Sequence, residues 1–221
     1  TISMEPMAAA MESIRRNRGE GTPLGGSTGA ELFETPQGKF VSKLGAHPAH
    51  VVNEYDMNRY LNALGVGVPD AFLSTKGRPE MITRYEEGAT PLNLMRDRRQ
   101  LREDYVPHAT IANWDMLGLG MDNVLRRPDG SLSYVDLGGA GPFRAQGAPK
   151  GQAFTPNVGE LESLQEKNPF AFGNISVKDM GRSFDMAGGT DAFTNALQFL
   201  RDKQTKNVMQ QRIDDVARRV A

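Results

Sequence analysis

Asp115, Asp122, Asn123 and Asp136 place three carboxylates and an amide within residues 113–141, NWDMLGLGMDNVLRRPDGSLSYVDLGGAG. Hard oxygen donors of this kind suit Mg²⁺, which takes a few oxygens from protein and the rest from water and phosphate. Their spacing adds to their chemistry. Residues 124–125 read as a short apolar strand, RRPDG at 126–130 as a turn, and residues 132–135 as the returning strand. Such a hairpin brings Asn123, at the start of one strand, to the same end as Asp136, at the finish of the other. Taken singly, each is an ordinary polar strand end or turn former. The pattern becomes specific only when joined to a stretch upstream.

That stretch is the glycine-rich loop 19–29, GEGTPLGGSTG, with Gly25, Gly26, Ser27, Thr28 and Gly29 leading into a hairpin of strands 30–33 and 39–44 around the turn TPQG at 35–38. Backbone N–H groups of such a loop approach phosphate oxygens closely because no Cβ stands in the way. Lys43, on the second strand, projects a point charge toward the same place. A P-loop is disfavoured because no Gly-Lys-Ser/Thr follows. A dinucleotide fingerprint is disfavoured because the G-x-G-x-x-G spacing is missing and a hairpin, not a helix, comes next. Residues 49–64 then form a moderately amphipathic helix through Val51, Tyr55, Met57, Leu61 and Leu64, closed by Gly65. Glu54 in its first half is either the carboxylate that holds Lys43 or a surface glutamate favoured near a helix N-terminus.

The remaining elements must position these groups. Met4, Met7, Ala8, Met11 and Ile14 predict an N-terminal helix over 4–17, packed on the domain or frayed from it. Strands are expected at 66–73 and 80–85, followed by a polar connector at 86–91 where a lobe boundary falls. Residues 92–108 read as a charged helix and 110–117 as a more apolar one. Residues 138–159, with Phe143, Arg144, Lys150 and Phe154 among glycines and prolines, are either a mobile substrate-facing segment or a long loop. Helices follow at 161–172, interrupted by Pro169, at 177–186, and over 190–220 as one helix or two. There is no internal repeat. His47 and His50 have the spacing of a metal pair, but no third ligand is near and Pro48 breaks helical presentation, so both read as surface residues.

Composition bounds the function. The chain has 221 residues, 38% hydrophobic and 24% charged, enough for one two-lobed domain or two small ones. A net charge of −1 gives no footprint for nucleic acid or an anionic membrane. With no cysteine there is no disulfide, thiolate nucleophile or cysteine-bound zinc. That composition suits the cytoplasm, and also a protein exported unfolded. No run reaches the length of a membrane span and no signal peptide is visible.

In order, a glycine-rich hairpin, strand lysine, helix glutamate, two strands, connector, helices, an Asp/Asn loop and a hairpin ending in Asp136-Leu137-Gly138 resemble the protein-kinase-like family over roughly residues 20–145. The resemblance implies an α+β, two-lobed fold: an N-terminal helix (1–18), a small antiparallel-sheet N-lobe with one helix (19–87), and a mainly helical C-lobe (88–221). It implies ATP and Mg²⁺ as cofactors. Gly25, Gly26, Ser27, Thr28 and Gly29 would cover ATP, Lys43 would hold its phosphates, Glu54 would hold Lys43, and the connector around Tyr85 would receive adenine. Asn123 and Asp136 would bind the metal.

His-Arg-Asp is absent, and the usual interval before Asn123 lands on Gly118, so the base falls to Asp115 on a longer loop, with Asp122 as competitor. Ala-Pro-Glu is absent too. The chain is therefore more similar to atypical members: HipA-type toxin kinases, phosphatidylinositol kinases or compact bacterial effector kinases. The implied activity is phosphorylation of Ser/Thr hydroxyls on a protein substrate, in the cytoplasm or as an effector secreted into a host cell, with no nucleic-acid partner, no membrane span and the oligomeric state open. The alternatives are a small-molecule kinase, nucleotidyl transfer on the same fold, and a pseudokinase scaffold.

Overall fold

Period-two alternation and turn residues build an antiparallel sheet from the first third of the chain. In a computed structural model, which describes residues 5–26 and 28–220, β1 (Thr22–Pro23), β2 (Glu31–Thr35), β3 (Gly38–Lys43), β4 (Ala71–Ser74) and β5 (Glu80–Arg84) form a sheet of order β1-β2-β3-β5-β4. Every adjacent pair is antiparallel. Phe33, Phe40 and Ile82 from this sheet meet Met7, Ala10, Met11 and Ile14 of α1 (Glu5–Arg16). The i, i+3, i+4, i+7 spacing of those four residues makes one apolar stripe, so α1 is docked rather than frayed. A second cluster, Val51, Ala71 and Met81, joins α2 (Pro48–Ala63) to the sheet.

Residues 85–89 lead into a second sheet of order β6-β7-β8, made from β6 (Thr90–Pro91), β7 (Val124–Arg126) and β8 (Leu132–Tyr134). The expected hairpin is therefore present, joined by a short strand that the sequence reading left in the connector. Gly67 packs under it: its carbonyl accepts from Tyr134 N–H at 2.9 Å, and a Cβ there would lie 1.9 Å from the Leu132 carbonyl oxygen. Residues 66–70 carry no strand assignment, so the fourth strand, Ala71–Ser74, is shorter than expected. The rest is mainly helical: α3 (Leu94–Glu103), α4 (Tyr105–Thr110), α5 (Glu160–Lys167), α6 (Pro169–Phe172), α7 (Val177–Met186), α8 (Gly189–Ala196) and α9 (Lys203–Val220). These surround the main core, which includes Leu101, Tyr105, Leu161, Phe172, Phe184, Phe193 and Ile213. The class is α+β, a small antiparallel sheet with a helical part.

Two helical expectations change, and a third resolves to one of its alternatives. The charged helix divides at Asp104 into α3 and α4. No helix runs over 110–117: Ala112 has φ 51°, and residues 111–123 are turns whose N–H groups find local carbonyls, as in Asn113 to His108 and Met116 to Asn113. The stretch 190–220 is two helices with a short 3₁₀ turn between them, and Asp202 accepts from Thr205 N–H at 2.8 Å at the start of the second. Among the described residues, no helix is long and apolar enough to cross a membrane.

The α3–α4 junction carries a pH-dependent cost. Asp104 accepts from the Tyr134 hydroxyl at 2.8 Å, and burial, only partly countered by that bond, pushes its carboxyl up to about 7. The folded protein then holds a proton that the unfolded chain gives up near pH 4, so stability falls as pH rises from about 4 through 7. Asp104→Asn keeps the acceptor and removes this cost. The variant is expected to be more stable than the parent at pH 8 by about 1–2 kcal/mol, a figure discounted because part of the residue meets water, with the difference vanishing near pH 4. Urea unfolding at the two pH values measures it.

Candidate functional site

Lys43 is the last residue of β3 and is buried. Its Nζ lies 2.7 Å from Glu54 Oε2, 3.2 Å from the Val135 carbonyl oxygen and 4.0 Å from Asp136 Oδ1. Burial disfavours the ammonium, but Glu54 and then Asp136 more than offset it and hold the pKa above the usual lysine value. The lysine is therefore charged, and Glu54 faces inward rather than standing on the helix surface. One charge of the pair without the other would be costly at this depth.

The hairpin brings Asn123 and Asp136 to one end. The Val124↔Tyr134 pairing continues through Val135 N–H, which donates to the Asn123 carbonyl at 3.0 Å, so Asn123 lies opposite the residue preceding Asp136. Asn123 Nδ2 donates to the Asp115 carbonyl at 2.8 Å, which leaves its Oδ1 as a free acceptor direction. Asp136 is 55% exposed at the side chain, and Gly138 N–H donates to its Oδ1 at 3.0 Å, fixing one oxygen and leaving the other open. Among the described residues no group of three His, Cys, Asp or Glu side chains could hold a metal. One carboxylate and one amide oxygen do fit Mg²⁺ when phosphate and water supply the remaining oxygens.

Asp115 lies on the loop before Asn123. Its carboxylate is 3.3 Å from Lys167 Nζ, which also donates to the Trp114 carbonyl at 3.2 Å and sits 3.6 Å above the Trp114 ring. Asp122 is exposed, with its Oδ1 turned back toward Gly118, whose φ of +80° favours glycine at that turn. Around these acids the loop exposes Trp114 (50%) and Leu119 (98%).

The glycine-rich loop does not merely precede a hairpin. It is the tip of one, closed by Leu24 N–H donating to the Ala30 carbonyl at 2.9 Å, between β2 and the short edge strand β1. A two-residue strand containing proline leaves no alternation to read, and proline is tolerated there because the strand lies at an edge. Gly25 and Gly26 have φ 81° and 85° with open space beside them. The Glu31↔Ser42 pairing places Lys43 beyond Ser42, opposite the loop's end at Ala30. Thr28 and Gly29 belong to this tip, and Ser27 lies outside the described residues. Tyr85 follows β5; its N–H donates to the Lys39 carbonyl at 3.0 Å and Lys39 Nζ stands 5.9 Å from its ring centre.

Several residues here have contacts that the sequence reading did not assign. Glu86 anchors the connector to the hairpin through Arg127 and Ser133. Lys150, from the long segment after Asp136, is half-buried and donates to the carbonyls of Ala112 (2.8 Å) and Gly139 (2.7 Å), tying together the loops that carry Asp115 and Asp136. Burial pushes its ammonium down to about 7. The surface assignment of the histidines is corrected for His50, which is 1% exposed. Pro48 does not break the helix but opens it: it occupies the first turn of α2, where a missing N–H costs nothing, and His47 is the N-cap. Only the His-Pro pair at a helix start could have signalled this.

No protein family matches the chain, and no curated protein matches its sequence. Among solved structures, the crystal structure of LicA in complex with AMP is similar, at 14% identity and a TM-score of 0.42, with 96% of this chain and 98% of that chain covered. At that score the likeness carries no argument about this chain.

Proposed function

We propose that the chain is an ATP- and Mg²⁺-dependent phosphotransferase of atypical protein-kinase type, acting on hydroxyl groups of a protein. The observation that carries this reading is the buried Lys43–Glu54 pair, set 4.0 Å from Asp136 at the end of a hairpin that also presents Asn123. A charged lysine, a half-exposed carboxylate, a free amide oxygen and a glycine-tipped hairpin together suit a polyphosphate. On this reading residues 1–18 form an added helix, 19–87 the N-lobe and 88–221 the C-lobe.

The chemistry is positioning and electrostatics. Lys43, held by Glu54, neutralises phosphate charge, and the loop containing Gly25, Gly26, Ser27, Thr28 and Gly29 covers the phosphates and excludes water. The connector at Tyr85 receives adenine. Asn123 Oδ1 and Asp136 would hold Mg²⁺, which when bound screens the transferring phosphoryl group. Asp115 orients the acceptor hydroxyl and takes its proton once Lys167 gives way. The exposed Trp114 and Leu119 beside Asp115 favour an acceptor that brings apolar surface with its hydroxyl, as a protein does.

The test is incubation of the purified chain with Mg²⁺ and ATP labelled at the γ- or the α-phosphate, with bacterial and eukaryotic extracts. Label from the γ-position on a discrete protein is expected. Label from the α-position would mean nucleotidyl transfer, and no ATP binding would end the kinase reading. Glu54→Gln removes the carboxylate charge but not its shape. Losing a charged hydrogen bond of about 1.5–3 kcal/mol lowers kcat/KM for ATP by about 10- to 100-fold, measured by steady-state kinetics on the labelled substrate.

A further inference from the structure

The N-terminal turns of α2 face the chain around Asp136 with three polar side chains at i, i+3 and i+4. Glu54 pairs with Lys43, Asn53 Nδ2 donates to the Ala140 carbonyl at 2.9 Å, and His50 Nε2 lies 2.8 Å from the Gly138 carbonyl oxygen. The tautomer of His50 follows from its other nitrogen. Ala46 N–H donates to Nδ1 at 3.0 Å, so Nδ1 is an acceptor and the ring proton is on Nε2, where it is donated to Gly138. The ring is locked by its neighbours: Phe143 and His47 stand at 5.6 and 5.8 Å between centres, and a Cβ at Gly147 would come within 3.1 Å of Nδ1. His47 in turn reaches the Gly147 carbonyl at 2.8 Å.

Gly138 is therefore held on both sides. His50 takes its carbonyl, and its own N–H fixes Asp136 Oδ1 at 3.0 Å. We propose that His50 is a positioning residue that sets the Asp136 carboxylate through Gly138 and makes the placement of that carboxylate depend on the same helix that presents Glu54 to Lys43. The inference rests on the phosphotransferase reading, in which Asp136 is the metal-binding carboxylate. Its consequence is that loss of the Nε2 bond misorients Asp136 while Lys43 and Glu54 stay paired. The deficit then falls on the metal rather than on the nucleotide.

Three variants separate this from plain support of the helix. His50→Gln keeps an N–H able to reach Gly138 but gives up the Ala46 contact. His50→Asn keeps an acceptor for Ala46 but cannot reach Gly138, and His50→Phe keeps only shape. For each, the melting temperature is measured with ATP at increasing Mg²⁺, and again with ATP and no metal. The expected result is that His50→Asn and His50→Phe raise the Mg²⁺ concentration for half-maximal stabilisation about tenfold, the lower range for residues that orient a metal ligand. His50→Gln should shift it less than about threefold. All three should keep the metal-free response. Equal shifts for Gln and Asn, or no shift for Phe, would overturn the proposal. A wild-type protein that ATP does not stabilise at any Mg²⁺ would remove the phosphotransferase reading itself, a different outcome from wild-type binding that His50 does not alter.

Discussion

On the proposed phosphotransferase reading, Asp136→Ala is expected to lower transfer of the γ-phosphoryl group by about 10²–10³-fold while leaving the fold intact. Preorganised groups aimed at developing charge are each worth about 10²–10³ in rate, and Asp136 supplies the one carboxylate oxygen that the hairpin offers next to Lys43. The side chain is half-exposed and, among the described residues, accepts one hydrogen bond, from Gly138 N–H two residues on, so its removal should cost less than about 1 kcal/mol of stability. Lys43 keeps Glu54 at 2.7 Å, so no buried charge is stranded. Single-turnover transfer and urea unfolding, run on the same preparation, read the two effects separately. Transfer that survives the substitution would place the essential oxygen elsewhere on the loops, with Asp122 the next residue to remove.

The largest effect on stability belongs to Arg212. This arginine of α9 is fully buried, yet each of its nitrogens has a partner. Nε donates to the Thr110 carbonyl at 2.8 Å, Nη1 to Thr155 at 2.7 Å, and Nη2 to the Ala109 carbonyl at 2.9 Å and to Glu160 at 2.6 Å. Two of those acceptors are at the C-terminal end of α4, where helix carbonyls lack intrahelical partners and a cation is favoured. Arg212→Met fills the space but leaves the Thr110 and Thr155 carbonyls and Glu160 without this donor, while Ala109 keeps its bond from Ala112 N–H at 3.0 Å. Breaking one side of a buried pair costs about 3–5 kcal/mol. A drop of that size in unfolding free energy is the expected result by urea titration. Arg212→Lys should recover little of it, because a single ammonium cannot reproduce the planar fork. A cost under about 1 kcal/mol would show that apolar packing alone holds α9 against α4.

The legible parts of this protein are those written in neighbouring residues. Pro128 and Gly130 mark the hairpin turn, period-two alternation marks β2 and β3, and the apolar stripe from Met7 to Ile14 marks α1; all three form as read, because backbone sterics and one-sided burial act over a few residues. The turn also fixed in advance that Asn123 and Asp136 share an end. Residues 110–117 misled because apolar spacing exists there, but the chain had better local partners in turns and positive φ at Ala112.

The tertiary structure alone decided which polar groups go inside. His50 meets Gly138 across 88 residues, Lys43 meets Val135 across 92, and Arg212 meets Thr110 across 102. A histidine or arginine reads as a surface residue until something covers it, since burial is tolerable only when each donor finds an acceptor. Those acceptors are mostly backbone carbonyls, which every residue possesses and no sequence distinguishes. The amino acids by themselves set the strands, the turns and the chemical inventory of the site. The packing of α2 and α9 against distant loops set where that inventory points.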